Sequence, residues 1–302
     1  MRITATFLDE ISSDIPHQNW GVKEWDRDFA AMKKMGIDTV VLIRSGFGKF
    51  IAYPSPYLVE KQGCFRPPVD LVRMFLELSE KYGMDFYFGL YDSRFYRCKG
   101  DLQTEEEINK FVSEEFIRDY GKSPAFKGWY LSIEVGRACK GIMEHYRDLG
   151  SFVKSLAPLP VMISPFIEAG QKLAQGARLG GDPAAITLAE HEKEWDDILA
   201  GIEGSVDIIA FQDGHVTLHQ LEEYQAVNVK LTAAEQAEAQ TIVNALNGAY
   251  NGLGTHKPKE QICLIFSRIK SLQVSPPKKH CGTRRVLILK PAASLNFSDV
   301  IL

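Results

Sequence analysis

Over the first 230 or so positions the apolar residues fall into six short runs, and each run ends on a charged or hydrogen-bonding residue. They are Ile3–Leu8 into Asp9 and Glu10, Thr39–Ile43 into Arg44, and Phe86–Leu90 into Tyr91 and Asp92. The next three are Gly128–Ile133 into Glu134, Pro160–Ile163 into Ser164, and Val206–Phe211 into Gln212 and Asp213. Near-continuous Val, Ile, Leu and Phe indicate parallel strands buried on both faces. Helical segments are expected at Lys23–Met35, Val69–Tyr82, Thr104–Tyr120, Gly141–Leu156 and Ala184–Ala200. In the first, Trp25, Phe29 and Met32 recur at helical spacing, and Gly36 and Gly83 stand where C-terminal caps belong. Strands that alternate with helices predict a βα barrel or a doubly wound sheet.

Beyond residue 228 the pattern changes. Val229–Leu302 holds ten Lys/Arg against four Asp/Glu, a net of +6, where the whole chain carries −4 and residues 1–228 therefore −10. None of the four tryptophans lies there. Thr232–Asn247 is expected as a helix, and Ile262–Phe266 and Val286–Leu289 are the only candidates for strands seven and eight. Neither ends on a carboxylate. The expected organisation is six βα repeats over 1–228 and an atypical segment over 229–302 that partly closes the barrel, loosely packed and open to proteolysis.

Composition narrows the function little. The length of 302 residues suits one α/β domain, since βα barrels run to about 250 residues. A net charge of −4 gives no reason to expect a nucleic acid or an anionic membrane as partner. No apolar stretch approaches the roughly 20 residues of a membrane span. The N-terminus enters the first strand without a signal-like apolar region, so a cytoplasmic protein is expected. Five scattered cysteines without a Cys-x-x-Cys pair predict neither a zinc site nor a disulfide framework. Gly176-Ala-Arg-Leu-Gly-Gly lacks the pattern of a phosphate loop, and no cofactor is expected.

Seven stretches come in a fixed order: Thr6-Phe-Leu-Asp-Glu-Ile-Ser, His17-Gln-Asn-Trp-Gly, Gly36-Ile-Asp-Thr-Val, Tyr87-Phe-Gly-Leu-Tyr-Asp-Ser, Gly128-Trp-Tyr-Leu-Ser-Ile-Glu, Ile163-Ser-Pro-Phe-Ile and Phe211-Gln-Asp-Gly-His. Together they resemble the bacterial domain-of-unknown-function family 4434, grouped with the TIM-barrel glycoside hydrolases. The resemblance covers residues 1 to about 228. It implies a (β/α)8 barrel, here irregular after strand six, and a carbohydrate-active site. In many such enzymes the acid/base ends strand four and the nucleophile ends strand seven. Glu134 takes the first role, while the second is vacant: Val243-Asn244-Ala245-Leu246 is the nearest text and has no Glu.

Glycoside hydrolysis needs two carboxyl groups, about 5 Å apart for retention or about 6.5–9.5 Å for inversion. Glu134 follows Trp129, Tyr130, Leu131 and Ser132, a setting that can raise its pKa. The competing role is a salt bridge with Arg44 or Arg137. Asp213 is the candidate second carboxylate, or else a helix cap. Asp9, Glu10, Trp20, Arg44, Tyr91, Asp92, Ser164 and Gln212 are the candidate substrate contacts. Asp9 and Glu10 are neighbours on an extended strand, so only one of them lines the mouth. Asp92 either binds sugar hydroxyls or serves as a cap or partner of Arg94. Trp20, Tyr53, Tyr57 and Tyr91 are placed on the catalytic side, where aromatic faces suit sugar rings. Trp25 and Trp195 read as core and His191 as a solvated helix residue, while His17 reads as a proton carrier or ligand. Two other readings stand beside the glycosidase. One is a metal-dependent sugar isomerase or hydrolase with Glu134, Asp213 and His215 as ligands. The other is a non-catalytic sugar-binding barrel.

Overall fold

The computed structural model describes residues 4–11, 20–169, 171–174, 178–181, 186–214, 216–233 and 285–287. In chain order the elements are β1 (Ala5–Leu8), α1 (Val22–Met35), β2 (Thr39–Leu42), β3 (Gly46–Phe47), β4 (Phe50–Ile51), α2 (Pro56–Gln62), α3 (Leu71–Tyr82) and β5 (Asp85–Gly89). There follow β6 (Tyr91–Asp92), α4 (Phe95–Cys98), α5 (Leu102–Tyr120), β7 (Phe126–Tyr130), α6 (Ile142–Leu156), β8 (Val161–Ile163), β9 (Gln171–Ala174) and β10 (Arg178–Gly181). The last are α7 (Leu188–Gly201), β11 (Ile208–Ala210), α8 (Leu218–Ala233) and β12 (Arg285–Leu287).

The main sheet is curled and wholly parallel, in the order β1-β2-β5-β7-β8-β11-β12. Its first six strands are the six apolar runs in sequence order, each returned to the sheet by a crossover carrying helix. This is an α/β fold of the βα-barrel type, regular through strand six. Two smaller pieces decorate it: a three-stranded sheet β4-β3-β6, with β3 and β4 in the loop after β2 and β6 just past β5, and the antiparallel hairpin β9–β10 between β8 and α7. Of the tail, the end of α8 through Ala233 and the strand Arg285–Leu287 are described. That strand pairs in parallel with β11 and so occupies the place beside strand six. The segments Thr232–Asn247 and Ile262–Phe266 otherwise lie outside the described residues.

Strand residues alternate between two apolar layers, as the two-residue period of a strand requires. Phe7, Val41, Tyr87, Tyr130, Met162, Ile208 and Ala210 form the inner cluster. Leu8, Val40, Leu42, Phe86, Phe88, Trp129, Val161, Ile163, Ile209 and Phe211 face outward into the layer shared with the helices. That outer layer is aromatic where α5 crosses it. Phe116 stacks on Phe88 at 3.8 Å and meets Trp129 edge-on at 5.6 Å, while Trp129 also meets Phe126 at 5.0 Å. Gly128 is where the inner layer needs a missing side chain, since a Cβ there would lie 2.0 Å from the Tyr87 ring.

Helix α5 also ties the strand-end loops down. Glu105 accepts the Ser93 backbone N–H at 2.7 Å as well as its hydroxyl. Asn109 pairs with both the N–H and the carbonyl of Tyr91 at 2.8 and 2.9 Å. Glu115 takes the Tyr57 backbone N–H at 3.0 Å together with the hydroxyls of Tyr53 and Ser55. All three α5 residues are buried, so each satisfies polar groups that would otherwise be stranded away from water.

Two expectations are corrected here. Tyr53 is not at the barrel mouth: it is 1% exposed, held by Glu115 and packed edge-on against Tyr120. His191 is not solvated: it is 0% exposed, hydrogen-bonded through Nε2 to Asn228 at 2.7 Å and enclosed by Trp195, Phe211 and Tyr224. His191, Trp195, Ile198 and Leu199 share one helical face, so the charged residues around them line only the other face. Trp25 and Trp195 are core, as expected.

His145 on α6 sets a dependence of stability on pH. Burial lowers its pKa from 6.5 to about 4, against an opposing backbone contact at Leu102. The folded-state pKa is depressed, so the contribution is fully present above about pH 6.5 and is lost as pH falls toward 4. At about 1.4 kcal/mol per pH unit the full loss is about 3 kcal/mol. Urea denaturation from pH 7 to 4 is expected to show this step in the parent protein and to lack it in His145→Leu. Equal steps in the two proteins would place the acid lability elsewhere.

Candidate active site

The inner-face period carries directly into the strand-end residues. Phe7 leads to Asp9, Tyr130 to Ser132 and Glu134, Met162 to Ser164, and Ala210 to Gln212, each by steps of two. Parallel strands put all these ends on one side of the sheet.

Glu134 is the centre of the group. The backbone before it is fixed on three sides. Leu131 N donates to Met162 O at 3.0 Å, the Ser132 hydroxyl to Leu90 O at 2.6 Å, and the Tyr146 hydroxyl to Ile133 O at 2.7 Å. Its Oε1 accepts the Tyr130 hydroxyl at 2.6 Å. Burial pushes the Glu134 carboxyl above its ordinary value. The Arg44 guanidinium, the Tyr130 hydroxyl and the Gln212 side chain pull the other way, and Asp9 adds to the upward push. Desolvation wins, which favours the protonated acid. Tyr130 is itself held far above its usual range by burial and by Glu134, so it remains a hydrogen-bond donor.

Arg44 is nearly buried and bridges this centre to Asp92, with Nη1 3.8 Å from Asp92 Oδ2. Asp92 is also paired with Arg97 at 3.0 Å and accepts the Arg94 backbone N–H at 2.7 Å. Its contact with Arg94 is therefore through the backbone, while its charge is met by Arg97 and Arg44. Arg137 does not compete for Glu134: it pairs with Glu194 at 2.5 Å.

The remaining candidates separate clearly. Asp9 is buried beside Glu134, whereas Glu10 turns the other way and accepts the Trp20 backbone N–H at 3.3 Å. Ser164 and Gln212 are buried and tied together. The Ser164 hydroxyl donates to Ala210 O at 2.7 Å, and Gln212 Nε2 donates to Ser164 O at 2.8 Å. Asp213 is half-buried in the turn that follows, its carbonyl accepting Val216 N at 3.1 Å. Tyr91 is not brought into the group. It lies in the outer layer, its hydroxyl donated to Gly48 O at 2.7 Å. Tyr57 stacks on Phe111 at 4.6 Å, outside the strand-end cluster. Trp20 meets Trp25 edge-on at 5.2 Å and lines a neighbouring cleft. His17 and His215 lie outside the described residues.

Two residues of this region escaped the sequence reading. Tyr130 was read only as part of an apolar strand, although four residues of extended chain separate it from Glu134 on the same face. Glu168, beyond β8, is a buried carboxylate packed on Gly136 so closely that a Cβ there would lie 2.2 Å from its Cγ. The acidic end of Ile163-Ser-Pro-Phe-Ile-Glu was its only signal. Among the described residues no group of three or more His, Cys, Asp or Glu is arranged to hold a metal ion. No helix among them is long and apolar enough to cross a membrane.

An inward ring of polar residues at the C-terminal edge of a curled parallel sheet, with a desolvated carboxyl past strand four, marks a βα-barrel protein with a candidate site at the barrel mouth. The chain belongs to the domain-of-unknown-function family DUF4434, whose model matches residues 3–259 and so extends past residue 228. The crystal structure of a putative alpha-L-fucosidase from Bacteroides thetaiotaomicron VPI-5482 is 50% identical, with a TM-score of 0.73, over 80% of this chain and 73% of that one. More distant are the intracellular xylanase of Thermoanaerobacterium saccharolyticum (11% identity, 88% and 82% of the two chains, TM-score 0.46) and the endo-beta-1,4-mannanase of Thermotoga petrophila (16%, 77% and 58%, TM-score 0.46). No curated protein sequence matches the chain.

Proposed function

We propose that this protein is a glycoside hydrolase in which Glu134 is the general acid/base. The observation that carries the reading is the desolvated Glu134 carboxyl, fixed by Tyr130 at the C-terminal end of the fourth barrel strand. A carboxyl kept protonated toward neutral pH can donate to a glycosidic oxygen as the bond breaks. Oε1 is occupied by the Tyr130 hydroxyl, which orients the group. Arg44 beside it stabilises the carboxylate left after proton transfer. Asp9, buried and close enough to push Glu134 up, supports a role as the second carboxylate alongside Asp213. The name of the structure at 50% identity makes alpha-L-fucosides the first substrates to assay.

The test is release of nitrophenol from a panel of nitrophenyl glycosides, headed by the alpha-L-fucoside, with the rate followed against pH. Activity is expected to fall on the alkaline side as Glu134 loses its proton, at a pH above that of an ordinary carboxyl. Tyr130→Phe and Arg44→Met each remove a group that favours the charged form, so both are expected to move that limb to higher pH. A limb unmoved in both variants, or no cleavage of any glycoside, would count against the assignment.

A further inference from the structure

A cleft of about 860 Å³ opens between Glu10, Ile11 and Trp20 on one side and the small β4-β3-β6 sheet on the other. Its volume is that of a pocket for a small ligand. Glu10, Trp20, Phe47, Lys49, Arg66 and Arg94 are among its walls. Three cations thus face one carboxylate, and that carboxylate already accepts the Trp20 N–H. Lys49 is committed as well, donating its ammonium to the Gln62 carbonyl. Arg66 and Arg94 remain, both exposed and neither with a carboxylate partner among the described residues.

Arg94 is placed there at a conformational cost. It is the one non-glycine among the described residues with a positive φ, +59°, a region that L side chains seldom adopt. Such strain persists only where surrounding contacts over-determine it, and it gathers at ligand sites. Two contacts fix it. Asp92 Oδ1 holds its N–H at 2.7 Å, and its guanidinium lies 4.8 Å over the Phe47 ring, which Arg44 faces at 4.6 Å. Asp92 cannot neutralise Arg94, because its charge is taken by Arg97 and Arg44. On the opposite wall Phe50 and Phe65 meet edge-on at 5.5 Å yet remain 59% and 60% exposed. The cleft therefore offers two guanidinium forks without a carboxylate partner among the described residues, and an exposed aromatic pair. The forks match planar or tetrahedral oxyanions, and the rings match the apolar face of a sugar.

We infer that this cleft binds a glycan residue carrying an anionic group, a carboxylate or a sulfate ester, through Arg66 and Arg94. That the ligand is a glycan rests on the proposed hydrolase; that it is anionic rests on the cleft alone.

Calorimetric titration of the full chain at low salt tests it. The probes are a galacturonate trisaccharide and galactose 6-sulfate, with their carboxyl-reduced and desulfated counterparts. At least one anionic probe is expected to bind about tenfold or more tightly than its neutral counterpart, and whichever does identifies the group. Arg94→Gln and Arg66→Gln should each remove most of that preference, Arg94→Lys should restore part of it, and Glu134→Gln should leave it unchanged. Should Arg94→Gln fail to fold, Arg66→Gln in its exposed loop decides alone. Equal binding of charged and neutral probes, a preference that survives both glutamine variants, or no binding of either anionic probe at millimolar concentration would overturn the inference. A chain that binds an acidic probe but cleaves no glycoside would refute the hydrolase and keep the anion site. A chain that cleaves neutral glycosides without anionic preference would do the reverse.

Discussion

Glu134→Gln is expected to lower turnover of an ordinary glycoside by about 10²–10⁴, the usual contribution of a positioned general acid. The amide keeps the size of the side chain and can still accept the Tyr130 hydroxyl through its oxygen, so the strand-end backbone held by Ser132, Leu131 and Tyr146 keeps its place. Two accompanying results separate this loss from unfolding. Sugar affinity should change little, because the variant removes a proton and not a surface. Glycosides with strongly acidic leaving groups, which need little protonation, should be cleaved at rates much closer to those of the parent. An even loss across leaving groups would point to a structural role for Glu134, and unchanged turnover would remove it from the mechanism.

The largest effect on stability is expected at Trp129. Its side chain is fully buried where Phe88, Phe116 and Phe126 converge, and its indole N–H donates to Ala157 O at 3.3 Å. Trp129→Ala opens a cavity between sheet and α5 that rigid aromatic neighbours cannot collapse into. Such truncations cost about 3–5 kcal/mol, a large part of the about 5–15 kcal/mol that holds a domain folded. Guanidinium denaturation should show the midpoint falling accordingly, with Trp129→Phe losing much less. A loss below about 1 kcal/mol would mean that this layer is looser than its ring contacts indicate.

The strands were legible because each is short, apolar on both faces and followed by a polar residue. The period of two puts Asp9 and Glu10 on opposite faces without saying which of them turns inward; the structure buries Asp9 and turns Glu10 to the Trp20 N–H. Five helices were legible to within a few residues, with Gly36 and Gly83 both in the left-handed conformation at their caps. Helices α2, α4 and α8 were not, the last running over Leu218–Ala233 where the expected helix begins only at Thr232. What local text could not show were partners far apart in the chain. Tyr53 sits among prolines and glycines like a surface residue, and only Glu115, 62 residues on, explains its burial. Tyr91 likewise ends a strand in the expected place, but the small sheet made with β3 draws its ring outward to Gly48. Glu168 was missed for the opposite reason: it lies five residues past its strand, and the fold of that loop returns it to Gly136. A strand is expected at Val286–Leu289 and found at Arg285–Leu287, yet its pairing beside β11 depends on a chain path that no local pattern records.

Helix α5 has a consequence for how proteins of this design can diverge. Glu105, Asn109 and Glu115 hold the backbone of the loops after the second and third barrel strands from behind, through groups that never reach solvent. The loops that frame the cleft are thereby braced by one helix, while the exposed side chains on its wall, such as Phe50, Phe65 and Arg66, take no part in that bracing by α5. Shape and chemistry are under separate control. Successive replacements at the exposed positions can retune what the cleft accepts without a penalty in folding. A change at any of the three buried α5 residues instead releases the backbone of the loop that it holds, and so costs stability along with shape.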